Sequence, residues 1–133
     1  MKVGLVGYGR MGQNHYRVLK GLPEANLVAV CDPELDSMLP ERCYSDVETM
    51  LAREELDAVV VAVPTTSHLS VASRVIESGV PLLVEKPLAS TVEEGEQLIE
   101  LAARRDVRAA VGHVERFNPV VRALMDELEG KET

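Results

Sequence analysis

Tryptophan is absent from this chain and phenylalanine occurs once, leaving aromatic residues at 3%. A core with so few rings has to be filled by Val, Leu, Ala and Ile, which suits a buried parallel sheet with helices on both faces. Cysteine is scarce too, Cys31 and Cys43 being the only two. They lack C-x-x-C spacing and no histidine cluster accompanies them. That argues against a zinc or other metal site and for two buried thiols in a reducing cytosol. Positive charge is in deficit: 14 Lys and Arg stand against 22 Asp and Glu, a net charge of −8. Such a chain repels phosphate backbones and anionic lipid, so neither nucleic acid nor a membrane surface is an expected partner. A helix start can still hold a single phosphate group, because it needs no net charge. There is no long apolar run, basic leader or cleavage signature, so the expected location is cytoplasmic.

What is present is a 46% apolar content over 133 residues, enough for the core of one domain spanning 1–133. Strand and helix patterns alternate from end to end. Lys2 to Val6 reads as a strand, followed by a glycine-rich turn and a helix from Arg10 to about Leu19, stopped by Gly21 and Pro23. Asn26 to Cys31 is a second strand, broken by Asp32, Pro33 and Glu34. Pro33 to Ser45 is polar and irregular, with room for a helical turn and a very short strand at Cys43 and Tyr44. Asp46 is placed to cap a helix through Arg53. The β-branched run Ala58 to Val63 is the strongest strand signal. Ser67 or Thr66 is placed to cap a helix to Ser78, and Pro81 to Val84 is the fifth strand. Thr91 opens a helix that is acidic at Glu93, Glu94 and Glu96 and basic at Arg104 and Arg105, an order that suits the helix dipole. Arg108 to Val111 is a sixth strand, and Asn118 or Pro119 starts a last helix ending near Gly130. Six strands with crossovers long enough for parallel pairing predict an α/β fold, a doubly wound Rossmann sheet in the order 3-2-1-4-5-6.

Gly7-Tyr8-Gly9-Arg10-Met11-Gly12 matches G-x-G-x-x-G between the first strand and the first helix, the context that gives this otherwise weak motif meaning. Gly7 permits the tight turn, Gly9 lets backbone approach a pyrophosphate, and Gly12 lets the helix pack closely. Asp32 follows the second strand, 20 residues beyond Gly12. A carboxylate there can accept from adenosine ribose hydroxyls and repel a 2′-phosphate, which favours NAD over NADP. Arg10 is the one nearby cation that works against that preference. Asp32 also reads as a turn residue before proline. The fifth strand ends in Val84-Glu85-Lys86-Pro87-Leu88. A charged pair at a strand's carboxyl end suits a ligand: Lys86 for a substrate hydroxyl or nicotinamide ribose, Glu85 for the Lys86 ammonium or a ribose hydroxyl. A solvated salt pair is the competing reading.

The chain resembles the glucose-fructose oxidoreductase/inositol dehydrogenase (Gfo/Idh/MocA) family along essentially its whole length. The resemblance is carried by the glycine motif, Val63-Pro64-Thr65-Thr66-Ser67-His68, Glu85-Lys86-Pro87-Leu88 and Arg116-Phe117-Asn118-Pro119. Gly112 to Pro119 looks most like members acting on nucleotide-linked amino sugars, such as UDP-N-acetylglucosamine 3-dehydrogenases. The resemblance implies NAD-dependent oxidoreductase chemistry on a secondary alcohol of a sugar or nucleotide sugar. Lys86 would be the catalytic residue beside the nicotinamide, with a Lys86–Pro87 peptide that is often cis. Pro64, Thr65 and Thr66 would line the adenosine side, with His68 nearby, unless His68 faces solvent or packs locally. Asn118 would contact the nicotinamide end or the sugar, while Arg116 and Phe117 would pack at a domain junction.

Family members are more than twice this long, and their second domain brings the sugar pocket and an acid–base histidine. This chain is therefore expected to be the cofactor half, catalytically incomplete alone. A partial chain and a natural stand-alone NAD-binding subunit are both compatible with that. A dinucleotide sensor without chemistry is the alternative function, and a methyltransferase a weaker one that Glu85-Lys86-Pro87 opposes. Val120, Val121, Leu124 and Leu128 form an apolar stripe on the last helix, part of it expected on the sheet and the rest, with Phe117, expected either to drive self-association into a homo-oligomer or to leave the last turns frayed.

Overall fold

The computed structural model describes residues 1–35 and 39–129, the side chain of Glu129 excepted. The expected end of the last helix near Gly130, and residues 36–38 of the irregular stretch, lie outside the described residues. The strands are β1 (Lys2–Val6), β2 (Asn26–Cys31), β3 (Arg42–Tyr44), β4 (Ala58–Val61), β5 (Leu82–Val84) and β6 (Ala109–Val111). The helices are α1 (Arg10–Gly21), α2 (Val47–Arg53), α3 (His68–Glu77), α4 (Val92–Arg105) and α5 (Pro119–Glu129). The six strands form one parallel sheet in the order β3-β2-β1-β4-β5-β6, as crossover length and pattern predicted.

Alternation along each strand divides the core in two. Val59, Val61, Leu82 and Val84 face α2, α3 and α4, meeting Met50, Ala72, Val75, Ile76 and Leu98. Val3, Leu5, Val30 and Val60 point the other way and meet Leu19 of α1. Each fully buried side chain of this size contributes about 1.5–3 kcal/mol by leaving water. Asp46 caps α2 by accepting from the Thr49 N–H at 2.7 Å, and Thr91 caps α4 by accepting from the Glu94 N–H at 3.2 Å.

The structure corrects four expectations. β4 ends at Val61 rather than Val63. The Ala62 N–H still bonds Val6 O at 2.7 Å, but beyond it the backbone leaves the sheet to form a 3₁₀ turn over Thr65–Ser67. That turn also removes the expected cap of α3. Ser67 has a helical backbone and no side-chain cap, and its N–H bonds Pro64 O at 2.8 Å instead. Cys43 is half-buried, its Sγ–H directed at Glu41 O, so only Cys31 is a buried thiol. Finally, α5 leans on a preceding 3₁₀ turn (Val114–Phe117) rather than on the sheet. Val121 is half-buried, while Val120 is 75%, Leu124 57% and Leu128 55% exposed. Among the described residues no helix is long and apolar enough to cross a membrane.

A buried thiol and a half-buried phenol make the fold sensitive to alkali. Burial, then the Asp46 and Asp32 carboxylates, push the Cys31 thiol from 9.0 up to about 12. Burial, then the hydrogen bond and charge of Glu41, push Tyr16 from 10.0 up to about 12. A pKa raised by folding gives stability that is whole below the unfolded value and is lost as pH climbs through the folded one. The melting temperature should therefore hold to about pH 9 and fall progressively toward pH 12. Cys31→Ala and Tyr16→Phe should each flatten that fall in thermal melts read by circular dichroism. Equal slopes in wild type and both variants would contradict this.

Candidate dinucleotide-binding site

The carboxyl ends of the parallel strands open onto one cavity of about 830 Å³, a volume typical of small-molecule and cofactor sites. Its floor is the turn from β1 into α1. Gly7 has φ +94°, and a Cβ there would meet Ala62 O at 2.5 Å, so the turn lies directly against the end of β4. A Cβ on Gly12 would fall 2.0 Å from Gly7 O. Gly9, the residue before α1, is different: nothing lies within 4 Å of its Cβ position. That open space is the approach a phosphate needs. The first N–H groups of α1 have no partner within the helix, no side chain caps them, and no acidic residue occupies the first turn. Together with the helix dipole they could hold an anion.

Asp32, just after β2, takes the turn role that its place before proline suggests and leaves room for a ligand. Its Oδ1 accepts from the Glu34 N–H at 2.9 Å, a turn contact. Its Oδ2 accepts from the Tyr8 N–H at 2.7 Å and so pins the glycine turn. Each oxygen keeps a lone pair, and the residue lines the cavity. Arg10 and Met11 also line it, exposed at the start of α1. Tyr8 does not; its ring meets Tyr16 edge-on at 5.5 Å, beneath the turn.

On the opposite wall Pro64, Thr65 and Ser67 line the cavity, whereas Thr66 is exposed and turned away. His68 is only 1% exposed, which rules out the solvent-facing reading. Its Nδ1 lies 2.9 Å from Pro87 O and its Nε2 3.0 Å from Val63 O. Both ring nitrogens thus lie against backbone carbonyls, which an imidazole bonds only through an N–H, and His68 ties the end of β4 to the loop after β5.

That loop carries Lys86, exposed at the cavity lip, and the Lys86–Pro87 peptide is cis. The salt-pair reading of its neighbour is corrected here. Glu85 is 7% exposed, and its side-chain partner is His15 of α1, not the Lys86 ammonium. Oε1 of Glu85 lies 2.7 Å from His15 Nε2, and Oε2 accepts from the Lys86 N–H at 3.1 Å. Sequence reasoning overlooked His15. The available signal was helical spacing, since Gly12, His15 and Leu19 fall at i, i+3 and i+7 on the face of α1 turned to the sheet. Arg74 was overlooked as well; it lines the cavity and pairs with Glu48.

Asn118 stays apart from the cavity. Its Oδ1 accepts from the Val120 N–H at 3.0 Å and its Nδ2 donates to Glu115 at 2.8 Å, so it caps α5. His113, Arg116 and Phe117 are exposed nearby, with the Arg122 guanidinium 5.6 Å from the Phe117 ring centre.

Residues 1–113 match the Gfo/Idh/MocA family model, described as an oxidoreductase family with an NAD-binding Rossmann fold. The rhizopine catabolism protein MocA of Rhizobium meliloti is 33% identical over 132 residues, covering 96% of this chain and 42% of that protein. The UDP-N-acetylglucosamine 3-dehydrogenase of Acidithiobacillus ferrooxidans is 32% identical, covering 93% of this chain and 40% of that protein. Among solved structures, the WlbA dehydrogenase of Bordetella pertussis, in complex with NADH and UDP-GlcNAcA, superposes with a TM-score of 0.90 at 29% identity. It covers 97% of this chain and 42% of that one. The chain thus spans about 40% of the length of these relatives.

The glycine geometry separates stability from binding. Gly12→Ala should destabilise the fold by about 1–3 kcal/mol, because the new Cβ strikes the backbone of the turn. Gly9→Ala should change stability by less than about 0.5 kcal/mol and yet abolish dinucleotide binding. Urea unfolding and calorimetric titration of the two variants check both; tight binding by folded Gly9→Ala would overturn the assignment of the anion site.

Proposed function

This chain belongs to the Gfo/Idh/MocA oxidoreductase family, and from that premise we propose that it is the NAD-holding part of an enzyme that moves hydride between NAD and a secondary alcohol of a sugar or nucleotide sugar. The observation that carries this reading is the convergence of three groups on one cavity. These are the uncapped start of α1 at Gly9, the Asp32 carboxylate and the Lys86 ammonium. The space over Gly9 fits a pyrophosphate, and the residues around it fit the two ends of a dinucleotide. The N–H groups of Arg10 and Met11 would hold the phosphates. Asp32 would accept from the adenosine ribose, with Pro64 and Thr65 beside it. Glu85 and Lys86 would stand at the nicotinamide end. When bound, NAD supplies the hydride acceptor.

The protein's own part is positioning and proton handling. Lys86 Nζ has no hydrogen-bond partner among the described residues and stands at the lip, where it can donate to the oxygen of a carbinol and orient the C–H for transfer. Among the described residues His68 is the only histidine on the cavity wall, and it is buried with both ring nitrogens against backbone carbonyls, so it is not placed to serve as proton acceptor. We place that acceptor and the sugar pocket in a further domain of the longer enzyme, in keeping with the share of the relatives that this chain spans. The exposed apolar face of Val114, Phe117, Val120, Leu124 and Leu128 favours association at this end of the chain, with a further domain or a second copy. The free thiols Cys31 and Cys43 suit a cytoplasmic protein.

Calorimetry with NADH and NADPH on the purified chain tests the reading. NADH should bind more tightly, since Asp32 repels a 2′-phosphate. Asp32→Ala should weaken NADH by about 1–3 kcal/mol and narrow the gap to NADPH. The same preparation should form no NADH from NAD and inositol or UDP-N-acetylglucosamine. Tighter NADPH binding, or turnover that disappears in Lys86→Ala, would contradict the proposed cofactor choice or the proposed division of labour, respectively.

A further inference from the structure

The Glu85 carboxylate is buried and has two donors: His15 Nε2 at 2.7 Å and the Lys86 N–H at 3.1 Å. A carboxylate only accepts, so His15 must carry its proton on Nε2. Gly112, just beyond β6, packs on a further side, where a Cβ would come within 3.3 Å of Oε2, and the side left open faces the cavity. Glu85 is therefore held from three directions: by α1, by the peptide that follows it, and by the end of β6. The peptide that follows it bears Lys86.

We propose that His15 is a positioning residue for Lys86. It acts through Glu85 and sets the nicotinamide end of the cavity without touching the cofactor. The proposal rests on the dinucleotide reading above and adds to it a residue that neither the glycine motif nor the strand-end lysine points to. The adenosine end has its own supports. Asp32 is fixed by Tyr8 and Glu34, and Gly7 N–H bonds Cys31 O at 2.8 Å. None of these contacts involves His15, so the adenosine end does not rely on the His15 imidazole.

Removing the imidazole leaves a buried carboxylate with one donor in place of two. An under-satisfied buried charge either takes up a proton or turns toward water. Both outcomes alter the acceptor that Lys86 N–H depends on, and with it the direction of the Lys86 side chain. The loss should appear in ligands that reach Lys86 and be absent in ligands that stop short of it. NADH reaches it; ADP carries the adenosine and the pyrophosphate and lacks both the nicotinamide and its ribose.

The experiment is calorimetric titration of the full chain with NADH and, separately, with ADP, alongside thermal melts. His15→Ala should weaken NADH at least about tenfold and leave ADP within about twofold of wild type. His15→Gln, whose amide nitrogen can reach Glu85, should restore most of the NADH affinity. Gly112→Ala presses on the same carboxylate from the other side and should reproduce the selective loss, which keeps the proposal testable if His15→Ala does not fold. Parallel loss of both ligands in the folded variants, or no loss of NADH, would overturn it. A wild-type chain that binds neither ligand would defeat the dinucleotide reading itself and the proposal with it. Wild-type binding with an unaffected His15→Ala would defeat this proposal alone.

Discussion

Helix α1 starts where it does because residue 12 has no side chain. Any Cβ there would stand 2.0 Å from Gly7 O, inside the backbone of the turn. That approach seats the helix against the end of β1 and leaves its first N–H groups facing the cavity. It also sets how far the second turn of α1 reaches, and thereby brings His15 to Glu85 just beyond β5. The phosphate end and the Lys86 end of the site both depend on one helix whose placement a single glycine decides.

Around that helix the sheet supplies a graded environment. The middle strands β1 and β4 are the most deeply buried, and their ends form the floor. The flanking β2 and β5 deliver charged groups, Asp32 and Glu85, to the edge of the floor. Each of these carboxylates is turned first to a structural task, holding a backbone N–H of a neighbouring turn. Their lone pairs toward the cavity are then presented at fixed positions, which is what preorganised recognition requires. His68 plays a parallel part by stapling the loop that follows β5 to the end of β4.

Much of this was legible in the residues. The six strands and their order followed from period, length and crossover spacing, because a buried parallel sheet leaves long β-branched runs that few other structures tolerate. The glycine turn was legible from its context. The pair His15 and Glu85 was not, because its partners are 70 residues apart and nothing in either segment encodes the meeting. Asp32 gave two readings, and the structure shows them to be compatible. The stop of β4 at Val61 and the missing side-chain cap on α3 share one cause: a 3₁₀ turn satisfies locally what a longer strand and a capped helix would have satisfied. The stripe on α5 was read correctly as apolar and wrongly as partly sheet-covered, since periodicity says that a face is apolar without saying what lies opposite.

The central claim is that the amino end of α1 holds a dinucleotide pyrophosphate, with Asp32 and Lys86 at opposite ends of the same ligand. Amide chemical shifts of the isotopically labelled chain, followed through a titration with NADH, test it most directly. Saturable shifts concentrated at Gly9, Arg10 and Met11, and extending to Asp32 on one side and Glu85 and Lys86 on the other, are the predicted result. Shifts that leave Gly9 to Met11 unmoved while NADH saturates another surface would contradict it.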